Sequence, residues 1–293
     1  MAGERVIKCV NSDGIEMTFN EREFNPFLLA KANGIYDANI NVSTANNTMI
    51  DGAVYQGSIA STRNIVLILK DLDNFAQNRE QLDVLFAKGN LGVLTVYDNE
   101  HERQIEYYTE SITSTATPDV RLTTISLIFP NPNFYDTFDT RVFISDMMEM
   151  FEFPHEFVSD GEEFSYINTD RIATVVNDTA DNDVGLTIAV TTTGTITNPS
   201  VTKVETNETL AVGYTGKTFT MTAGDVLVFT TTKGNKNVTF THDGTTTDIN
   251  EYLTDSSSFF QLTRGVNTFG YNADSNPETI SIVISYRFKY MRA

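Results

Sequence analysis

Residues 62–96 read TRNIVLILKDLDNFAQNREQLDVLFAKGNLGVLTV and decide the predicted fold, because a clear helix pattern lies here between two clear strand patterns. Residues 65–69 are a continuous run of aliphatic side chains, which is typical of a short strand buried on both faces. Asp71 or Asp73 then offers a helix N-cap, because its carboxylate can accept from free backbone N–H groups. Residues 91–97 predict the second strand.

The segment between these strands predicts one helix packed against a sheet. Four apolar residues recur at helical spacing and would face the sheet, namely Phe75, Leu82, Leu85 and Phe86. The polar positions Gln77, Arg79, Glu80 and Asp83 would face water or a neighbouring molecule. Gly89 directly follows Lys88 and predicts the end of the helix, since glycine adopts the left-handed conformation at little cost and a basic side chain suits the helix dipole.

The rest of the first half predicts an antiparallel sheet. A turn signal at residues 11–14 lies between two alternating runs and predicts a hairpin. Pro130 and Pro132 end the last strand, because proline cannot donate to a strand ladder. The strands predicted in this half, besides those above, are 6–10, 15–19, 35–43, 104–108, 112–116 and 120–129.

Threonine becomes dominant from residue 156 onward, and short β-rich runs alternate with turn residues every 8 to 12 positions. This pattern is typical of a sandwich or barrel. The predicted strands are 172–176, 186–190, 200–205, 218–222, 226–231, 237–241, 258–262, 266–271 and 280–290. A chain of 293 residues is long for one core, so we expect a mainly β protein of two domains, 1–137 and 138–293.

Charge excludes several classes of partner. The chain carries 39 acidic and 20 basic residues, a formal net charge of −19, which opposes tight binding to nucleic acid phosphates or anionic lipid. The sequence has no apolar run of about 18 residues that would span a membrane. Residues 1–15 are polar and charged, so we expect no secretory signal and synthesis in a cytoplasm.

We predict no catalytic, cofactor-binding or metal site. Cys9 lies in an alternating strand pattern and is expected to be a small buried hydrophobe. Three histidines, His101, His155 and His242, are far apart and lack a second ligand at zinc spacing. Ser256–Ser258 lacks the glycines of a nucleophile elbow.

Two acidic clusters leave alternatives open. Asp178, Asp181 and Asp183 offer oxygen ligands but lack the bidentate glutamate of a calcium loop, so an acidic turn is favoured. A glycosidase needs a pair of carboxylates, which Asp160, Glu162 and Glu163 could supply. Carboxylates are common enough in this chain to match by chance, so catalysis is the weakest hypothesis.

The order of short motifs in the second half resembles the C-terminal half of siphophage distal tail (Dit) proteins. The motifs are Asn198-Pro199, YTGK at 214–217, GDVL at 224–227, KGNKNV at 233–238, FFQL at 259–262, GVN at 265–267 and Tyr271. In the first half, Gly57, Arg63 before the 65–69 run, the helix and PNPNFY at 130–135 resemble the family's N-terminal ring-forming domain.

The resemblance implies that residues 1–137 assemble as a homo-hexameric ring beneath the tail tube and that residues 138–293 form an outward galectin-like β-sandwich. It implies a structural, non-enzymatic virion protein at the phage tail tip, a baseplate hub through which DNA passes. The implied partners are the tail tube protein, a tail-associated or fibre protein for host adsorption, and a receptor-binding protein. It also allows the last strand, within residues 286–290, to return to the first domain.

A closed ring needs a heterologous interface repeated by rotation. We expect free strand edges and the flank of the helix to form it, with Arg63 and Arg79 as sites where charge reversal would test the contact. The alternative from a different class is a carbohydrate-binding module, because a galectin-like sandwich could bind a cell-wall saccharide directly.

Overall fold

The computed structural model describes residues 5–23, 26–46, 51–71, 75–98, 101–117, 121–144, 147–149, 165–167, 171–179, 183–214 and 216–293. It is mainly β with one α-helix in these residues. The chain divides into two compact units, one of residues 1–137 with 289–293 and the other of residues 138–288.

The elements are numbered along the chain. The helix is α1 (Phe75–Leu85). The strands of the first unit are β1 (Val6–Asn11), β2 (Glu16–Asn20), β3 (Phe27–Asn33), β4 (Ile40–Asn46), β5 (Ala53–Ala60), β6 (Arg63–Asp71), β7 (Leu91–Asp98), β8 (His101–Ala116), β9 (Arg121–Phe129) and β10 (Phe134–Asp136). Those of the second unit are β11 (Thr140–Ile144), β12 (Met147–Glu149), β13 (Ser165–Ile167), β14 (Ile172–Asn177), β15 (Leu186–Thr192), β16 (Ile196–Thr197), β17 (Ser200–Lys203), β18 (Glu208–Ala211), β19 (Thr220–Met221), β20 (Val226–Thr230), β21 (Asn237–His242), β22 (Thr245–Asp248), β23 (Gly265–Asn272) and β24 (Ile280–Tyr286). The last strand, β25 (Lys289–Tyr290), pairs with β10 in the first unit.

Seven strands of the first unit close into a barrel in the order β7-β1-β2-β3-β6-β9-β8, because β8 pairs with both β9 and β7. Alternating side chains point inward and form one core; fully buried members include Ile7, Phe19, Ile65, Leu67, Leu69, Leu94, Ile125, Leu127 and Phe129. Tyr107 fills the interior beside Gly92, where an added Cβ would lie 2.2 Å from the ring. The barrel therefore uses most of its strand edges internally.

The long strand β8 makes this closure possible. Its first half pairs with β7 and its second half with β9, and a bulge lies between Thr109 and Ser111. We predicted two strands here, 104–108 and 112–116, and the structure has one continuous strand of 16 residues. A bulge bends a strand and increases its twist without ending it, so the break in alternation marks a bend.

Helix α1 lies across the end of the barrel where β6 ends and β7 begins. Leu82, Leu85 and Phe86 are buried in the barrel core, and Phe86 stacks on Phe19 at 6.4 Å between ring centroids. Phe75 is only half-buried, and Asn78 is buried in the same helix and donates to Asp71 Oδ1 at 2.9 Å. The predicted apolar face is largely confirmed, but it closes a barrel end where we expected it to cover a sheet.

The predicted ends of the helix are less accurate. Asp71 is the last residue of β6, and Asp73 lies outside the described residues. The helix ends at Leu85, so Gly89, with a φ of +84°, lies in the turn that follows. The strand 65–69 was also predicted to be buried on both faces, which is wrong: Val66 and Ile68 are half-buried, because that side is the outside of the barrel.

Strands β4 and β5 form a separate two-stranded hairpin with a bulge beside Ser43 and Thr44. The chain leaves the barrel after β3 and returns to it at β6, so the hairpin begins at the barrel end opposite α1. Gly34, at the start of this excursion, has a φ of +90°, and a Cβ there would lie 2.3 Å from the Asn64 backbone oxygen. Only glycine fits at that close approach.

The guanidinium of Arg63 is buried at the same barrel end and donates only to backbone oxygens. It bonds to Gly34 O at 2.8 Å, to Pro132 O at 3.0 Å and to Ile35 O at 3.2 Å, and also to the carbonyls of Asp37 and Met291. The Cζ atom of Arg63 lies 5.1 Å from the Phe134 ring centroid. Burial lowers the pKa of Arg63. Arg63 is therefore a structural residue, and its use as a probe of an outer contact was wrong.

The second unit is a β-sandwich. A six-stranded sheet, β11-β24-β15-β20-β21-β22, and a four-stranded sheet, β14-β23-β17-β18, share one core. That core includes Ile188, Leu227, Phe229 and Ile284 from the first sheet and Val201, Leu210 and Phe269 from the second. The predicted strand 258–262 is wrong: Phe260 and Leu262 are buried, but Phe260 N donates to Ser258 O within the segment and Leu262 makes only an isolated bridge to Val184.

Replacing Arg63 with methionine should destabilise the first unit by about 3 kcal/mol, because several buried carbonyls would lose a charged donor. Hydrogen exchange of peptides from β6 and β9 should accelerate about 100-fold. The control Arg22→Met removes an exposed cation. It should change the free energy of unfolding obtained from exchange by less than about 0.5 kcal/mol. Unchanged exchange in Arg63→Met would show that these carbonyls are satisfied without the guanidinium.

Candidate assembly interface

The described residues contain no group of three or more His, Cys, Asp or Glu placed to hold a metal ion. Cys9 is fully buried in the barrel core beside Tyr107, and burial raises the pKa of its thiol, which fits the predicted role as a small hydrophobe. None of the described helices is long and apolar enough to cross a membrane.

Of the acidic residues considered for chemistry, only Asp178 and Asp183 lie in the described part of the chain. Asp183 accepts from Lys233 Nζ at 2.8 Å in an exposed ion pair. Asp178 lies just after β14, and Asp181 lies outside the described residues, as do Asp160, Glu162 and Glu163. The described residues therefore include no calcium site, and the three carboxylates of the glycosidase hypothesis lie outside them.

The serines at 256–258 hold loops together. Ser257 Oγ donates to Ala211 O at 3.0 Å and accepts from Ala211 N at the same distance. Ser258 Oγ donates to Glu208 Oε1 at 2.9 Å. These bonds join the loop before β23 to β18, so the hydroxyls have structural partners.

One histidine is paired with a buried carboxylate. His242 Nδ1 lies 2.7 Å from Asp225 Oδ1, and Asp225 Oδ2 accepts from Thr222 N and Oγ1. Asp225 directly precedes β20 and His242 is the last residue of β21. The pair therefore joins the two strands at one end of the β20–β21 hairpin. The hydrogen bond to Asp225, followed by its charge, raises the pKa of His242.

This pair makes a pH-dependent contribution to stability. Because the folded pKa of His242 is raised above 6.5, the contribution is fully present below pH 6.5 and is lost as pH rises through the raised value. Asp225→Asn should return the pKa of His242 toward 6.5, as measured by NMR titration of the imidazole. Asp243→Asn should lower it less, since Asp243 is a weaker cause. An unchanged pKa in Asp225→Asn would contradict the pairing.

The exposed surface of α1 carries the residues predicted to face outward. Gln77, Arg79, Glu80 and Asp83 are all exposed, which confirms that prediction. Val84 is also exposed, although it is apolar. Arg79 therefore remains a usable probe of a contact on this flank.

Free strand edges are fewer than the sequence led us to expect in the first unit. Closure of the barrel pairs both edges of β1, β6 and β7. Strands β4 and β5 pair only with each other, so each keeps one free edge. An unpaired edge is a template for pairing with another chain. The β4–β5 hairpin is consequently the main edge surface that the described part of this unit offers.

The outer face of the six-stranded sheet is almost free of charge. One cross-strand row reads Phe143, Val283, Ala189, Val228, Thr239 and Asp248. Apart from Phe143 and Asp248 on the two edge strands, this row consists of small aliphatic and hydroxyl side chains. A flat face of this composition suits contact with a protein better than sugar stacking, for which aromatic rings are the usual platform.

Residues 179–290 match the family model described as siphovirus-type tail component, C-terminal domain. The matched range runs from just after β14 to β25 and so covers most of the sandwich of the second unit. A search of curated protein sequences found no match.

Two solved phage structures resemble this chain over nearly its whole length. The crystal structure of the Dit protein (gp 19.1) of phage SPP1, described as a paradigm of the hub adsorption apparatus in phages that infect Gram-positive bacteria, has a TM-score of 0.67 and 16% identity, covering 96% of this chain and 99% of that one. A chain of the phage P2 baseplate, in its activated conformation with Ca, has a TM-score of 0.55 and 8% identity, covering 99% of both chains.

These identities are low, so the structural matches establish the fold. Together with the family match, they confirm the predicted resemblance to siphophage distal tail proteins and the predicted mainly β fold. The short motifs that carried the resemblance in residues 198–271 all lie within the range that the family model matches.

Proposed function

We propose that this protein is a structural component of the distal tail hub of a siphovirus, located at the virion tail tip and made in the bacterial cytoplasm. The observation that carries the proposal is the fold match to SPP1 Dit over 96% of the chain, combined with the family match of residues 179–290. A match that spans both units supports a shared role better than a match to one domain would, because single domains recur in unrelated proteins.

In this role residues 1–137 form a homo-hexameric ring and residues 138–293 form outward galectin-like sandwiches, with the last strand returning to the first domain. The ring joins the tail tube protein to a tail-associated or fibre protein, and the sandwiches offer a surface to a receptor-binding protein. The neutral outer face of the six-stranded sheet supports the last contact, since the cores of protein interfaces are depleted of charged residues.

The charge of the chain is consistent with a ring around a DNA path. Six copies at −19 each give a strongly acidic assembly, which repels phosphates and lets DNA pass without being held. The same charge opposes self-association, so a stable ring requires an interface with few carboxylates. We propose no enzymatic activity, since the role consists of assembly.

Light scattering of the purified full chain should give a mass near six times 32.7 kDa, and negative-stain images of the same fraction should show rings. A mass near another small multiple of 32.7 kDa, with closed rings in the images, would leave the hub role in place and change the number of subunits in the ring.

Immunogold labelling of intact phage particles tests the location separately. Antibodies against the chain should place gold at the end of the tail distal to the capsid. Gold along the tube or on the capsid would contradict the hub role whatever the mass in solution.

A further inference from the structure

The β4–β5 hairpin buries none of its own residues. All but two of the fifteen residues in the strands are exposed, and the remaining two, Ala45 and Gly57, are half-buried. Large apolar side chains are among the exposed ones: Ile59 is 71% exposed, Tyr55 62% and Val42 58%. An isolated two-stranded hairpin is marginally stable in water, so a hairpin with this surface gains stability from a partner.

Apolar side chains lie on both faces of the hairpin. The register places Ile40, Val42 and Tyr55 on one face and Val54 and Ile59 on the other. Exposed edges are usually protected by lysine, proline or inward charges, and neither strand contains such a residue. The hairpin is therefore suited to insert between surfaces or to pair along an edge.

The two strands of the hairpin also lack charged residues, in a chain whose net charge is −19. Between Asp37 and Arg63 the sequence contains one charged residue, Asp51. Two copies of a chain with a net charge of −19 repel each other, and the repulsion is smallest where a contact surface carries no carboxylate. This absence of charge favours a second copy of the same chain as the partner.

A second exposed apolar surface lies at the other end of the barrel, around Asn11. Its members are Ile15, Val84, Leu91 and Tyr108, which we call the helix-end patch. Asn11 connects them: its Nδ2 donates to Val84 O, its Oδ1 accepts from Ile15 N, and its backbone pairs with Gly92 beside Leu91. Leu91 in turn pairs with Tyr108 across the strands.

The two surfaces lie at opposite ends of one barrel. Strand β6 runs from Arg63, where the hairpin returns, to Asp71, which contacts Asn78 of α1. Strand β7 begins at Leu91, a member of the patch, and ends at Asp98. There Tyr36 OH donates to Asp98 Oδ2, close to the start of the hairpin. Two different surfaces on one subunit produce a head-to-tail contact, which forms a ring if the rotation between neighbouring subunits closes and an open filament if it does not.

We propose that the β4–β5 hairpin of one subunit packs on the helix-end patch of the next subunit and forms the self-association interface. This inference rests on the proposed ring and names the surfaces that would close it. Asp83 directly precedes Val84, and Asp13 lies two residues before Ile15, so strands without carboxylates fit on the patch where acidic strands would be repelled. The one carboxylate of the hairpin, Asp51, lies in the turn between the strands. The contact replaces the general edge-and-flank interface with two defined surfaces.

Three variants of the full chain test the contact. Tyr55→Glu with Ile59→Glu charges the hairpin, and Val84→Glu charges the patch on a helix position that tolerates glutamate. The control, Ile172→Glu with Val176→Glu, charges two apolar residues of similar exposure in the second unit. All five positions are exposed, so thermal unfolding by circular dichroism should show an intact fold in each variant.

The hairpin and patch variants should each raise the concentration at which the ring half-dissociates by at least about tenfold, as measured by light scattering. The control should assemble like the original chain. Mixing the hairpin variant with the patch variant should give one-to-one dimers, because the intact hairpin of one meets the intact patch of the other. Such rescue requires two different surfaces.

The possible failures are distinguishable. Rings that form equally well in all variants would overturn this interface and leave the hub role in place. Dissociated variants that stay monomeric when mixed would overturn the head-to-tail pairing. An original chain that is monomeric at every concentration would overturn self-association through the hairpin, while immunogold labelling would still decide the hub role.

Discussion

The buried guanidinium of Arg63 fixes the end of the barrel on which the projecting hairpin depends. It donates hydrogen bonds to carbonyls of three separate segments, which are the chain leaving β3, the turn after β9 and the C-terminal residues. A buried cation is costly unless its donors are used, and here five carbonyls accept from it. This arrangement sets where the chain leaves and re-enters the barrel, so the hairpin projects from a rigid base.

Sequence patterns located the elements whose determinants are local. The 65–69 run, the hairpin around 11–14 and the helix each follow from residues close together in the chain, and the structure contains all three. The sandwich core was also predictable, because most of its strands alternate. Phe260 and Leu262 show the limit of this reasoning, because both are buried although they lie in a loop. Alternation of apolar residues indicates burial, and a loop that packs alternate side chains inward has the same pattern as a strand.

Features that depend on distant partners could not be predicted in this way. The role of Arg63 is set by backbone carbonyls up to 228 positions away. Every residue has a backbone carbonyl, so the sequence does not indicate which ones accept from Arg63. Barrel closure likewise depends on β8 pairing on both sides, which a break at Glu110 conceals. The predicted strand 35–43 overlaps the first strand of the hairpin, Ile40–Asn46, but its partner Ala53–Ala60 was not predicted. The exposure of the hairpin could not be predicted, because exposure depends on the rest of the fold. Its one sequence signal was the near absence of charge between Asp37 and Arg63.

Charge then distinguishes the surfaces that can assemble from those that cannot. A net charge of −19 keeps the chain soluble and makes most contacts between copies repulsive, so association is confined to neutral areas. The described structure offers such areas on the hairpin and on the outer face of the six-stranded sheet. They lie in different units, so one can serve contacts between copies while the other stays available to a different protein. The proposed hub role needs this separation, because such an assembly must hold itself together and bind its partners simultaneously.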